Sequence, residues 1–226
     1  MEEFRKLLKI TKRLLIIERY ESFEDKSEKS IRKGKRNFQG TLHPNIFQIL
    51  QKYLEVNMEI YASPLYCYFD TCCSAFYDTD QYFLLEGSFE CAPPNSEHVL
   101  LQAAKHITEI IINRKKGPLS FIVFFPNWND LEAIQWLEKN QHHFAFYIKK
   151  VIKLRYMDRQ SNLPEHSERE VKSGDSMVYI IQNKTGKLKW EQNAFNVLEI
   201  FKNMEHTAIS SLSFSSFHKK RNFFLT

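Results

Sequence analysis

The chain has 226 residues, 43% of them hydrophobic and 26% charged, a balance that excludes wholesale disorder and fits one large domain. No apolar run approaches the ~18 residues needed to cross a bilayer, and the N-terminus has charges scattered through it, unlike a signal peptide. The net charge of +5 resides in residues 1–40, with 12 Lys/Arg against 7 Asp/Glu, while residues 41–226 balance at 20 and 20.

Residues 3–19 place Phe4, Leu7, Leu8, Leu14 and Leu15 on one helical stripe, with Lys and Arg opposite. Residues 21–40 are polar and aperiodic and read as a linker. This basic arm suits a phosphate backbone; it equally suits a solvated helix followed by a disordered linker. A second helix is expected from Pro44 to Val56, with proline in the first turn, where its missing N–H costs nothing. Tyr66 to Phe69 is a short aromatic run that reads as a strand. Ser74 to Leu85 is loop-like. Gly87 to Cys91 reads as a strand stopped by Pro93-Pro94.

Residues 96–113 carry Leu100, Ala103, Ala104, Ile107, Ile110 and Ile111 at helical spacing. Leu119 to Phe125 is a continuous apolar run between Gly117-Pro118 and Pro126, the pattern of a central strand buried on both faces. Residues 130–140 read as helix, Phe144 to Tyr156 as one or two strands, Met177 to Gln182 as a last strand and Trp190 to Met204 as a terminal helix. The alternation of strands and helices predicts an α/β fold with a mostly parallel sheet, helices on both faces and a short N-terminal helical extension. Three segments follow: a basic helix and linker over 1–40, the main domain over 41–205, and a tail over 206–226.

Several chemistries find no support. The six glycines, at 34, 40, 87, 117, 174 and 186, form no GxGxxG and no P-loop, and there is no GxSxG or HExxH. Cys67, Cys72, Cys73 and Cys91 lack the paired spacing of a zinc site and read as buried free thiols in a reduced compartment. His142 and His143 are adjacent and suit one metal poorly.

What stands out is a strand, then Ala92-Pro93-Pro94-Asn95, then a helix, then a buried strand running into Phe125-Pro126-Asn127-Trp128-Asn129-Asp130. In an α/β sheet such loops lie at the carboxyl ends of strands, where ligands bind. Amino-methyltransferases place an [Asn/Asp/Ser]-Pro-Pro-aromatic loop at this location. Its first residue accepts a hydrogen bond from the target amine, the prolines hold the backbone rigid, and the aromatic stacks on the base; this is positioning catalysis without a strong base.

Ser63-Pro64-Leu65, Cys67-Tyr68-Phe69, Cys73-Ser74-Ala75-Phe76, Asp78-Thr79-Asp80, Tyr82-Phe83, Gly87-Ser88-Phe89-Glu90 and Leu119 to Phe124 carry a closer likeness. From about Ser63 to Asp130, fading towards Asn183, the chain resembles the catalytic domain of the phosphorylated-CTD-interacting-factor family, cap-specific mRNA adenosine N6-methyltransferases. The resemblance implies a Rossmann-like class I methyltransferase sheet, S-adenosylmethionine as cofactor and capped RNA as substrate. It also implies a nuclear location beside RNA polymerase II or a methyltransferase partner.

The family loop is Asn-Pro-Pro-Phe. Pro93 and Pro94 match, while Ala92 and Asn95 replace the amine acceptor and the stacking ring. By resemblance, positions 92–95 are the catalytic and cofactor positions. Glu97, Trp128, Asn129 and Asp130 are the substrate positions, Trp128 suiting a cationic methylated base. The family's N-terminal WW module and most of its helical domain have no room in residues 1–60. The expected protein is therefore a methyltransferase-like domain with weakened or lost catalysis; a non-enzymatic RNA-binding or partner protein on the same fold is the alternative.

Overall fold

The computed structural model describes residues 41–62, 68–69, 71–73, 86–114, 116–128, 130–158 and 169–204. The expected N-terminal helix, the basic linker and the C-terminal tail lie outside the described residues, as do Cys67 and Asn129.

Among the described residues the elements run β1 (Thr41–Leu42), α1 (Pro44–Leu54), β2 (Met58–Ile60), β3 (Thr71–Cys73), β4 (Gly87–Cys91) and α2 (Glu97–Asn113). They continue with β5 (Leu119–Pro126), α3 (Glu132–Lys139), a 3-10 turn (Gln141–His143), β6 (Phe146–Asp158), β7 (Arg169–Gln182) and α4 (Lys184–Met204). The strands form one sheet in the order β1-β6-β7-β5-β4-β2-β3. β3, β2, β4 and β5 are mutually parallel. β7 returns antiparallel between β5 and β6, and β1 is antiparallel to β6. The sheet is therefore mixed in its pairings, although β6 runs in the direction of β5. This is a Rossmann-like α/β sheet.

β5 occupies the position its sequence demands. It lies between β4 and β7, and every residue from Leu119 to Phe125 is buried. Phe121, Val123 and Phe125 join the core under α2 and α3, together with Leu100, Ile107 and Leu137. Ile122 and Phe124 join the core under α1 and α4, together with Leu50, Leu54, Trp190 and Phe201. A strand apolar on both sides needs a helical layer on each, and the amphipathic α1 and α2 help supply them.

Helix starts follow from local chemistry. At α1 the His43 Nδ1 accepts the Asn45 N–H at 3.2 Å, and Pro44 fills the first turn. At α4 the cap is Asn183, which also ties the helix to the central strand. Asn183 Oδ1 accepts the Gly186 N–H at 2.8 Å and the Leu119 N–H at 3.0 Å, while its Nδ2 donates to the Gly117 carbonyl at 2.8 Å. Gly186 is required by close approach: a Cβ there would lie 2.1 Å from the Leu119 carbonyl oxygen.

Several expectations need correction. Of the strand expected at Tyr66 to Phe69, Tyr66 and Cys67 lie outside the described residues, Tyr68 and Phe69 are not in a strand, and a strand follows at Thr71–Cys73. Tyr68 and Phe69 pack by their rings on Phe47 of α1, at centroid distances of 4.7 and 5.6 Å. The three-residue β2 and the two-residue β1 had no sequence signal. β7 begins at Arg169, eight residues before the expected start, and α4 at Lys184, six before. Phe146 to Asp158 is a single strand with an irregularity between Lys153 and Arg155.

The latch gives a direct expectation. Asn183→Ala removes a helix cap and leaves the buried Leu119 N–H without an acceptor, so it should destabilise the fold by about 2–4 kcal/mol. Urea unfolding of the full chain measures it; a loss below 0.5 kcal/mol would refute this role.

Candidate functional site

The topology places the crevice. From β2 the chain moves outward to β3, then returns to β4 on the other side and proceeds outward to β5. The direction of winding reverses between β2 and β4, the switch point at which an open α/β sheet binds ligands beyond its carboxyl ends. Ile60 and Cys91, the last residues of these two strands, are register partners. Beyond them stand Tyr61-Ala62 and Ala92-Pro93. Tyr61 is buried with φ at +65°, a left-handed conformation uncommon for a non-glycine residue, which turns the chain sharply off β2.

The Pro-Pro loop leaves β4 at this point. Pro93 and Pro94 are buried, while Ala92 and Asn95 are half-buried. The Ser96 N–H donates to the Pro94 carbonyl at 2.7 Å, closing a turn before α2 begins at the exposed Glu97. Ala92 packs against the core under α1 and α4. Trp128, beyond the end of β5, is half-buried against the other core, under α2 and α3. Its N–H donates to the Pro126 carbonyl at 2.8 Å, and its carbonyl accepts the Leu131 N–H at 3.3 Å. Asp130 is exposed beside it. Parallel pairing of β4 with β5 thus brings both loops to one edge of the sheet, with the Ala92 and Trp128 side chains packed on opposite faces and both loops leading into helices of one layer, α2 and α3. The β6–β7 ladder continues past Pro126, whose partner is Ser176, as far as Asp158 and Arg169, forming a wall beside the Trp128 loop. The Asn127 N–H donates to the Asp175 carbonyl at 3.0 Å and fastens the loop to that wall.

Two residues here carry no motif. Glu59 and Glu90 are register partners on β2 and β4, exposed by only 3% and 2%. Glu59 Oε1 accepts the Phe69 N–H at 2.9 Å and also the Tyr68 N–H, which pins that segment over the sheet. Glu90 Oε1 is buried, with no hydrogen-bond partner among the described residues. Burial, and then the charge of Glu59 beside it, hold the Glu90 carboxyl well above the usual carboxylate range. Glu59 thus has two backbone donors on its carboxyl oxygen. The sequence signal was a charged residue within each short apolar strand, Met58-Glu59-Ile60 and Phe89-Glu90-Cys91. It could be read only once the two strands were known to be neighbours.

No group of His, Cys, Asp and Glu among the described residues is arranged to hold a metal ion, and Cys91 is buried in the core. No helix among the described residues is long and apolar enough to cross a membrane.

A family model described as the phosphorylated CTD interacting factor 1 WW domain matches residues 2–159. The chain belongs to the phosphorylated CTD interacting factor 1 family. In this family member the matched residues include every strand from β1 to β6. Two curated relatives, each named mRNA (2'-O-methyladenosine-N(6)-)-methyltransferase, are similar to it over 165 residues. The Homo sapiens protein is 33% identical and the Mus musculus protein 32%; in each case the match takes in 67% of this chain and 23% of the relative. The chain spans less than a quarter of the length of these relatives.

The state of Glu90 sets a pH dependence. Its folded pKa is raised, so its contribution to stability is complete below the ordinary carboxyl range and is lost as pH rises through the raised folded value. Glu90→Gln removes the titration but keeps the shape. The variant should therefore gain stability relative to wild type as pH rises above the ordinary carboxyl range, in paired thermal melts. A difference that does not change with pH would show that Glu90 is already ionised in the fold.

Proposed function

We propose that the chain is an S-adenosylmethionine-dependent methyltransferase-like domain that binds capped RNA beginning with adenosine, and that its catalysis is weakened at the Ala92–Asn95 loop. One observation carries the reading: in a chain whose relatives are named mRNA (2'-O-methyladenosine-N(6)-)-methyltransferase, the Pro93-Pro94 turn leaves β4 at the switch point of the sheet. The residues present fit the cofactor. The carbonyls of a rigid Pro-Pro turn and the orphaned buried oxygen of Glu90 offer acceptors for amino groups, and the crevice between Ile60 and Cys91 is of the type that takes nucleotides. S-adenosylmethionine, when bound, supplies an electrophilic methyl group.

The chain's own contribution is orientation. Pro93 and Pro94 fix the loop backbone, so a carbonyl at the end of β4 can accept from an exocyclic amine. Glu97 and Asp130 stand at the same edge, and Trp128 offers an aromatic face to a methylated guanine. Asn129 belongs to this set by its place in the chain. At position 92 a methyl group stands where the family has an amide, and at 95 an amide where it has a ring. A missing transition-state hydrogen bond costs ~2.7–4 kcal/mol and lost base stacking ~1–3 kcal/mol. The family name supports a place beside RNA polymerase II in the nucleus, where capped transcripts arise. The two altered positions favour a second reading, a domain that binds RNA or a methyltransferase partner without reaction.

Calorimetry with S-adenosylmethionine and with a capped oligonucleotide tests the reading. Both should bind to the full chain, and binding of neither would overturn it. Transfer to N6 should be barely measurable in wild type. It should rise roughly 10²–10³-fold in the Ala92→Asn, Asn95→Phe double variant, since both the acceptor and the stacking face are needed. Wild-type transfer equal to that of the double variant would mean that neither side chain limits the rate. Trp128→Ala should weaken binding of a 7-methylguanosine cap analogue roughly 5- to 150-fold, the equivalent of ~1–3 kcal/mol. Unchanged affinity would leave Trp128 as a packing residue.

A further inference from the structure

Strand geometry brings Glu90 under the altered motif. Side chains two residues apart on a strand share a face and stand about 6.5 Å apart. On β4, Phe89 and Cys91 belong to the core under α2 and α3, while Ala92 packs against the core under α1 and α4. Glu90 alternates with the first pair, and its register partner Ile122 lies in the second core. Glu90 and Ala92 therefore occupy the same face at successive pleats. Ala92 carries a methyl group where the family has an amide, and the carboxyl one pleat below has a buried oxygen with no hydrogen-bond partner among the described residues.

We propose that the Glu90 carboxyl group reads the Watson–Crick edge of an adenine held at the Ala92–Asn95 loop, taking the hydrogen-bonding role that a side-chain amide at position 92 has in the family. The proposal rests on the methyltransferase-like reading above and names the group that recognises its base. A neutral carboxyl group presents one O–H donor and one carbonyl acceptor side by side. Adenine presents the complement, an N6 amine donor and the N1 acceptor. Glu90 is suited to stay neutral because its carboxyl is buried beside that of its cross-strand neighbour Glu59, whose oxygen accepts the Tyr68 and Phe69 N–H groups. A glutamine at position 90 has the same donor and acceptor pattern, whereas leucine has neither.

Two sources of adenine reach such a loop, the first transcribed nucleotide and S-adenosylmethionine itself. The experiment separates them. Affinities of the full chain are measured for two capped oligonucleotides, one beginning with adenosine and one with purine riboside, which lacks the amine. S-adenosylmethionine is titrated in parallel. With the transcript as the source, wild type should prefer the adenosine oligonucleotide roughly 10-fold, as expected for a two-bond base contact. Glu90→Gln should keep the preference and Glu90→Leu should abolish it. A 10-fold loss of S-adenosylmethionine affinity in Glu90→Leu, with the loss absent in Glu90→Gln, would assign the contact to the cofactor's adenine. If neither preference nor affinity changes in Glu90→Leu, the proposal is overturned.

A ligand-free arm keeps this distinct from the function reading. In thermal melts, Ala92→Asn should raise the melting temperature in the Glu90 background and not in the Glu90→Leu background, because the new amide donates to the orphaned oxygen. If no ligand binds but this coupling is present, the methyltransferase reading fails while the reach of Glu90 into the space above residue 92 stands. Absent coupling removes the geometric basis of the proposal.

Discussion

The burial of β5 on both faces is the constraint from which the rest of the structure follows. A strand whose alternate side chains are Phe121, Val123 and Phe125 on one side and Ile122 and Phe124 on the other cannot leave either face to water. Each face takes two helices, α2 and α3 on one and α1 and α4 on the other. β4 and β7 complete its hydrogen bonds, and because β7 comes back antiparallel, the carboxyl edges of β4 and β5 are left to their loops. Asn183 fixes α4 to the start of β5, so the helix layer and the strand share one register.

Legibility in the sequence tracks how much apolar surface each element buries. β5 and α2 were readable because a seven-residue apolar run and a five-turn periodicity leave few alternatives. β2 and β3 have three residues each, too short for any period to show. Tyr68 and Phe69 misled because their rings pack on Phe47 of α1, and an aromatic run alone does not mark a strand. The first half of β7, Arg169 to Asp175, is polar because it extends past β5 and pairs only with β6. Ladder hydrogen bonds rather than core contacts hold it there, and those leave no hydrophobic pattern. The first turn of α4 looked like loop because Gly186 is a poor helix former. The glycine is there because the Leu119 carbonyl leaves no room for a Cβ.

The candidate site divides the same way. Pro93, Pro94 and Trp128 were legible because their chemistry is local to a few neighbouring residues. Glu59 and Glu90 are 31 positions apart and become a pair only through the parallel register of β2 with β4. Read singly, each is an acidic residue in a strand. Side by side and buried, they cannot both be charged at tolerable cost, and burial together with the neighbouring Glu59 pushes the Glu90 carboxyl up.

That division also explains how the loop chemistry can change while the scaffold stays. Pro93 and Pro94 are buried and set the path of the chain from β4 into α2, so replacing them would disturb both elements. Ala92 and Asn95 are only half-buried and flank that turn, so their side chains contribute little to either core. The prolines and the Glu59 clamp therefore serve the fold, and substitutions at 92 and 95 should disturb it less. What the prolines hold is the path from β4 into α2, and beneath it lies the Glu90 carboxyl, whose buried oxygen has no hydrogen-bond partner among the described residues.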